Sequence, residues 1–200
     1  LPVVVKPLMG GKGKGITVGV DNMDRVPAAF DHAARAKLGE VLIERHVPGD
    51  SHRLAVSAGK LVRASRLRPA QVVADGARTI RQLIDDSNRE IVRQGSQAQA
   101  QPIVVDQELS AFLAQQGRSL DSCPAAGEAV QLRGTVHVHY GGSLLDVTDD
   151  IHPDNVSMAE TIASGFHLDA TGIDFITPDI ARSWRDTQCA IIEVNATPGT

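Results

Sequence analysis

Val3-Val4-Val5-Lys6-Pro7-Leu8-Met9-Gly10-Gly11-Lys12-Gly13-Lys14-Gly15-Ile16-Thr17-Val18-Gly19-Val20 decides between the nucleotide-binding architectures open to this chain. An apolar, β-branched run enters a glycine loop, and an alternating run leaves it, so the stretch reads as strand, loop and strand in a hairpin. A P-loop needs Ser or Thr after its Gly-Lys, whereas Gly13-Lys14 is followed by Gly15 and Ile16. A dinucleotide fingerprint must open a helix, and here a β-branched strand follows. What remains is a hairpin whose loop amides, with Lys12 and Lys14, can close over phosphates while Lys6 stands on the first strand as a fixed charge. A glycine-rich turn with solvated lysines would explain the loop taken alone.

Outward from the hairpin, the order of elements is mixed. Asp24 to Leu38 carries helix-spaced apolar residues (Val26, Phe30, Ala33, Ala34, Leu38) and stops at Gly39, before a strand Val41-Leu42-Ile43-Glu44-Arg45. Pro48-Gly49 and Ala58-Gly59 bracket an antiparallel pair, His52–Val56 and Lys60–Ala64. Thr79 to about Arg93 reads as an amphipathic helix, 95–102 as a mobile loop, 109–116 as a short helix and 131–140 as a strand. A helix from Asn155 to Gly165 and strands at Gly172–Thr177 and Ala190–Ala196 close the order, with a loop around Trp184 between those strands. The chain shows no internal repeat.

The last strand, Ala190-Ile191-Ile192-Glu193-Val194-Asn195-Ala196, places Glu193 and Asn195 on one face, roughly 7 Å apart at Cα, while Ile192, Val194 and Ala196 face a core. A carboxylate beside an amide oxygen suits Mg²⁺, with Mn²⁺ as a substitute. Asp174 has the same character, a carboxylate between Ile173 and Phe175, and its charge would be costly to bury without a cation. An edge strand with two solvated polar residues is the plain alternative for Glu193 and Asn195.

A length of 200 residues with 42% hydrophobic content suits one large domain or two small ones. A net charge of −4 gives no bias towards nucleic acid or an anionic membrane. No apolar run reaches the ~20 residues of a membrane span and no signal peptide opens the chain, so a cytoplasmic location is expected. Cys123 and Cys189 lack metal-ligand spacing and read as reduced thiols. The chain begins within a strand and stops just after Pro198-Gly199, and it reads as a piece of something longer.

Val4-Val5-Lys6-Pro7 with its glycine loop, Leu42-Ile43-Glu44-Arg45-His46-Val47-Pro48-Gly49 with His52-Arg53, Gly172-Ile173-Asp174-Phe175 and Ile192-Glu193-Val194-Asn195 occur in the order found in ATP-grasp ligases. Pro69–Gly76 and Asp146–Pro153 narrow the resemblance to the ATP-grasp region of cyanophycin synthetase and its relatives. The resemblance implies an α+β fold, the ATP-grasp fold, in which two α+β subdomains hold ATP between them, here without its upstream and downstream parts. A lid subdomain is expected over 1–48 and a larger subdomain over 49–200, with a helical insertion at about 70–130. The implied reaction transfers the γ-phosphoryl group of ATP to a carboxylate; an amine then attacks the acyl phosphate.

By the same resemblance, Lys6 matches the lysine on the α- and β-phosphates, and Gly10, Gly11, Lys12, Gly13, Lys14 and Gly15 match the lid over them. Glu44, Arg45, His46 and Val47 resemble the segment that meets the adenine edge, and Asp50 or Ser51 falls where the ribose hydroxyls are held. Arg53 and Arg66 lie where family arginines meet the γ-phosphate or acyl phosphate. Asp174, Glu193 and Asn195 form the Mg²⁺ set. The implied partners are amino-acid or peptide substrates and other domains of the same longer chain, with room for a homo-oligomer and no nucleic acid or membrane. One departure is His137-Val138-His139-Tyr140 before Gly141-Gly142, where cyanophycin synthetases have an Asn-Leu-Ser-Thr-type stretch. It puts the cyanophycin substrate itself in question. Two histidines two apart could chelate a transition metal, but they are more often a polar strand face. Glutathione or dipeptide synthesis, or ATP binding without catalysis, are the alternatives.

Overall fold

The structure, a computed structural model, describes residues 1–9, 14–36, 39–95, 101–134, 136 and 140–196. In chain order the elements begin with β1 (Val3–Pro7), β2 (Thr17–Val20), α1 (Val26–Ala36), β3 (Val41–Arg45), β4 (Asp50–Ser57), β5 (Lys60–Arg68) and β6 (Gln71–Val73). They continue with α2 (Ile80–Gln94), α3 (Gln107–Gln115), β7 (Ala129–Gln131), β8 (Ser143–Asp146), α4 (Pro153–Gly165), β9 (Ala170–Thr177) and β10 (Ala190–Asn195). The chain forms two compact units, one from Leu1–His46 with Arg68–Ser143, the other from Val47–Leu67 with the residues from Leu144 onward. No helix among the described residues is long and apolar enough to cross a membrane.

The first unit holds a three-stranded antiparallel sheet in the order β2-β1-β3, with Val5 opposite Thr17 on one side and Ile43 on the other. Helix α1 covers one face, packing Ala29 and Ala33 against Val5 and Val20. Phe30, expected on the apolar stripe, is instead 45% exposed. Alanines four residues apart let the helix approach the sheet closely, and a phenyl ring about 100° further round the helix falls outside that contact. The start of the expected helix is a 3₁₀ turn at Met23–Arg25, capped by Asn22, and Leu38 lies outside the described residues. Gly15 closes the hairpin with φ +76°, and a Cβ there would lie 2.4 Å from Cβ of Ala36.

The same unit contains a second core under the short β6–β7 pair, where Val72 faces Val130 and packs with Ile80, Leu83 and Ile84 of α2 and Leu109 and Leu113 of α3. Thr79 caps α2 by a capping box with Gln82, and Asp106 caps α3. The strand expected over 131–140 ends at Gln131, and positions 135 and 137–139, with His137 and His139, lie outside the described residues. The cause is Arg133, whose side chain is 4% exposed and ion-paired to Asp106 at 2.7 Å. A charge that must meet its partner at the N-terminus of α3 draws the chain out of the sheet.

The second unit is a five-stranded sheet in the order β10-β9-β4-β5-β8. Helix α4, capped by His152 with Pro153 in its first turn, packs Ala159 and Ala163 on Leu54, Val56, Ile173 and Phe175. By strand alternation the other face carries Ser51, Arg53 and Ala55 of β4 with Gly172, Asp174 and Ile176 of β9. Strand β10 pairs with β9 through a bulge at Ile192: Ile191 faces Phe175, and Glu193 faces the very next residue, Asp174. This bulge at a sheet edge corrects the expectation that Ile192 faces the core, and Ala196, expected to face it too, lies past the end of β10. Ile192 is 36% exposed and Ala196 is exposed, while Val194 does pack on the core.

Candidate functional site

On the second unit, pairing across the four strands β10, β9, β4 and β5 sets Glu193, Asp174, Arg53 and Ser65 in one row. Antiparallel partners stand about 4.5–5.5 Å apart at Cα, so two carboxylates and a guanidinium meet on the face away from α4. Arg53 Nε lies 2.6 Å from Asp174 Oδ1, and its Nη2 donates to Oδ2 at 3.3 Å. The Nε contact is ionic but off the hydrogen-bond direction, so buried Oδ1 receives no hydrogen bond. Burial pushes the Asp174 carboxyl above its ordinary value and Glu193 adds to that, against the opposing pull of Arg53. Asn195 sits two residues beyond Glu193, opposite Gly172, and Thr171 Oγ1 fixes its carbonyl at 2.9 Å.

On the first unit, Lys6 and Glu44 project from the sheet face opposite α1, beside Val4 and Leu42. Their side chains make an ion pair of 2.6 Å. The ammonium is thereby held over an apolar ground, with Glu44 on β3, an edge strand whose backbone is open on one side. Arg45, the next residue, points to the α1 side by alternation and is exposed. His46 N donates to Pro2 O at 3.0 Å. Lys14 is exposed at the hairpin, whereas Gly10, Gly11, Lys12 and Gly13 lie outside the described residues.

Arg66 is not brought to the Arg53 row. From the Ser57–Lys60 turn pair, a regular ladder would place Arg66 opposite Ser51, on the face of Arg53. An extra residue at Val62 shifts the register, and Arg66 stands opposite His52 instead. It bonds Asp50 Oδ2 at 3.1 Å on that other face. Of the two ribose candidates, Ser51 therefore shares the face of Arg53 and Asp50 does not. His52 is buried beneath them, its pKa lowered chiefly by desolvation.

The glutathione synthetase of Pasteurella multocida, a bifunctional enzyme of known crystal structure, superposes over 97% of this chain and 27% of its own at TM-score 0.64 and 29% identity. The fold is that of the ATP-grasp ligases. D-alanine–D-alanine ligase from Bacillus anthracis shares it over the full chain and 45% of its own length, at TM-score 0.52 and 13% identity. In sequence, this ATP-grasp segment is 43% identical to the cyanophycin synthetase of Crocosphaera subtropica over 200 residues, 99% of this chain and 23% of that protein. The chain thus spans about a quarter of the length of the curated relatives it matches. No family model matches.

The ATP-grasp residues fit a hard divalent cation on the second unit. The donors are oxygens, one buried oxygen has no hydrogen-bond donor, and two carboxylates face each other, with burial and the neighbouring Glu193 raising the pKa of Asp174 against the pull of Arg53. Among the described residues no group of three His, Cys, Asp or Glu could by itself hold a metal.

Sequence reasoning missed two anchors. Asn155 is fully buried at the start of α4, donating to the carbonyls of Ile180 and Arg182 and accepting from Trp184 N, which fixes the loop into β10. Arg133 is the other, held by Asp106, Glu108 and the Val104 carbonyl and stacked over Tyr140 at 4.6 Å. A lone arginine in the apolar run Val130-Gln131-Leu132-Arg133 was its only signal.

Proposed function

We propose that the chain is the ATP-binding part of a longer carboxylate–amine ligase that forms an amide through an acyl phosphate, as in cyanophycin synthetases. The observation that carries this reading is the row Glu193–Asp174–Arg53 on one face of an ATP-grasp sheet. In the reaction, a substrate carboxylate oxygen attacks the γ-phosphorus and the bond to the ADP oxygen breaks. The amine nitrogen then attacks the acyl carbon, loses its proton and expels phosphate. Mg²⁺, held by Asp174, Glu193 and Asn195, would neutralise the triphosphate and polarise the phosphoryl oxygens.

The chain's own residues supply positioning and charge. Lys6 exchanges its Glu44 partner for phosphate oxygens, and the exchange costs little because the ammonium is already ordered and partly desolvated. The loop from Gly10 to Gly15 covers the phosphates. Glu44 and the backbone to Val47 meet the adenine edge, and Ser51 holds a ribose hydroxyl. Arg53, paired with Asp174 here, would with a cation on that carboxylate be free to present its planar guanidinium to the transferred phosphoryl group. Arg66 then serves to hold Asp50 rather than to touch phosphate.

A glutathione-synthetase-like reaction is the second reading, favoured by the 0.64 TM-score match. Both share one test. With the longer protein, an ¹⁸O-labelled carboxylate substrate should pass one label to phosphate per amide formed, because the carboxylate oxygen leaves on phosphorus. Unlabelled phosphate alongside amide would sink the acyl-phosphate route, and the amino acid consumed tells the two readings apart.

A further inference from the structure

A cavity of about 450 Å³ lies within the first unit, and neither Lys6 nor Glu44 lines it. One wall is Thr17 and Val18 of β2, an edge strand of its sheet, and the floor includes Phe112 of α3. Arg25, which pairs with Asp21 at 3.3 Å, and Glu108 bring opposite charges to its lining, and both are more than half exposed. Arg133 also lines the cavity. It is 4% exposed, and its buried Nε has no hydrogen-bond partner, although Asp106, Glu108 and Val104 occupy the rest of its guanidinium. Burying a guanidinium with an unused N–H is costly unless something polar reaches it.

We propose that this cavity binds a zwitterionic amino acid or short peptide, with its carboxylate towards Arg25 and Arg133 and its amino or basic group towards Glu108. The charges present decide the class. A plain anion such as phosphate would meet Glu108, and a plain cation would meet two arginines, whereas a ligand with both charges satisfies each wall. The apolar floor suits the aliphatic stem between the charges, and the open edge of β2 offers main-chain groups to a peptide bond. The site uses none of the residues assigned to nucleotide or cation and stands whether or not the ligase reading does.

The test is an amide-resolved NMR titration of the chain with lysyl-glutamate, its N-acetylated ε-blocked form and its fully amidated form. Inorganic phosphate serves as the anion control. The dipeptide should shift the amides of Thr17, Val18 and Phe112, and phosphate should not. Arg25→Gln and Glu108→Gln alter exposed side chains and should each weaken the dipeptide about tenfold. The amine-blocked form should lose its dependence on Glu108, the amidated form its dependence on Arg25, and ADP binding should be the same in both variants. Shifts that map elsewhere, phosphate binding as strong as the dipeptide, or unchanged affinity in both variants would overturn the proposal.

Discussion

Asp174 is the residue where stability and proposed function oppose each other. Its folded pKa is raised, so between the ordinary value of 3.8 and the folded value the native state holds more proton than the unfolded chain. Stability from this group is therefore present at low pH and is lost as pH rises through that window. Asp174→Asn removes the effect, and its melting temperature at pH 7 without divalent cation should equal or exceed that of the wild type, while the difference shrinks or reverses near pH 3. A variant less stable at pH 7 than at pH 3, relative to wild type, would mean that the Arg53 ion pair outweighs desolvation. Lys6→Ala should weaken ADP about tenfold or more and leave adenosine nearly unchanged, since a charge-assisted bond to phosphate is worth roughly 1.5–3 kcal/mol. Equal losses for the two ligands would remove Lys6 from the phosphates. The strands that carry Asp174, Glu193 and Asn195 were legible in the sequence, because their apolar residues flank the oxygen side chains. The face of Arg66 was not, since it hangs on one extra residue at Val62 that no local pattern marks.

Strands and helices were legible where periodicity was strong. β1, β3 and β9 are β-branched runs, and α2 and α4 were both expected, although α4 begins at Pro153, two residues before the expected Asn155. The three-residue strands β6 and β7 were not, because at that length pairing comes from the Val72–Val130 contact and the helices beneath it. The expected strand over 131–140 failed for a related reason, since alternating valines say nothing of a buried Arg133 whose partners lie 27 and 25 residues earlier. Two stability predictions belong to elements. Thr79→Ala breaks the capping box of α2, whose first turn buries Ile80 and Leu83, and should cost about 1 kcal/mol in denaturant unfolding. Gly15→Ala should cost more, roughly 2 kcal/mol, because it adds a left-handed strain to a clash with Ala36. An unchanged midpoint in Gly15→Ala would show that the hairpin end reshapes freely.

At the scale of the molecule, the interleaving of the two units was the least legible feature. Both are built from discontinuous pieces, and nothing local marks Val47, Arg68 or Leu144 as crossing points. The order of motifs along the chain nevertheless gave the fold class, because ATP-grasp signatures are distributed over both units. The central claim joins that fold to a cation site at Glu193 opposite Asp174. Calorimetric titration of ATP into the chain, with Mg²⁺ and with chelator, for wild type and Glu193→Gln, tests it most directly. The account predicts that Mg²⁺ tightens ATP binding by about tenfold or more in the wild type, and that Glu193→Gln loses this gain while binding metal-free ADP as before. The same Mg²⁺ dependence in Glu193→Gln as in the wild type would contradict it.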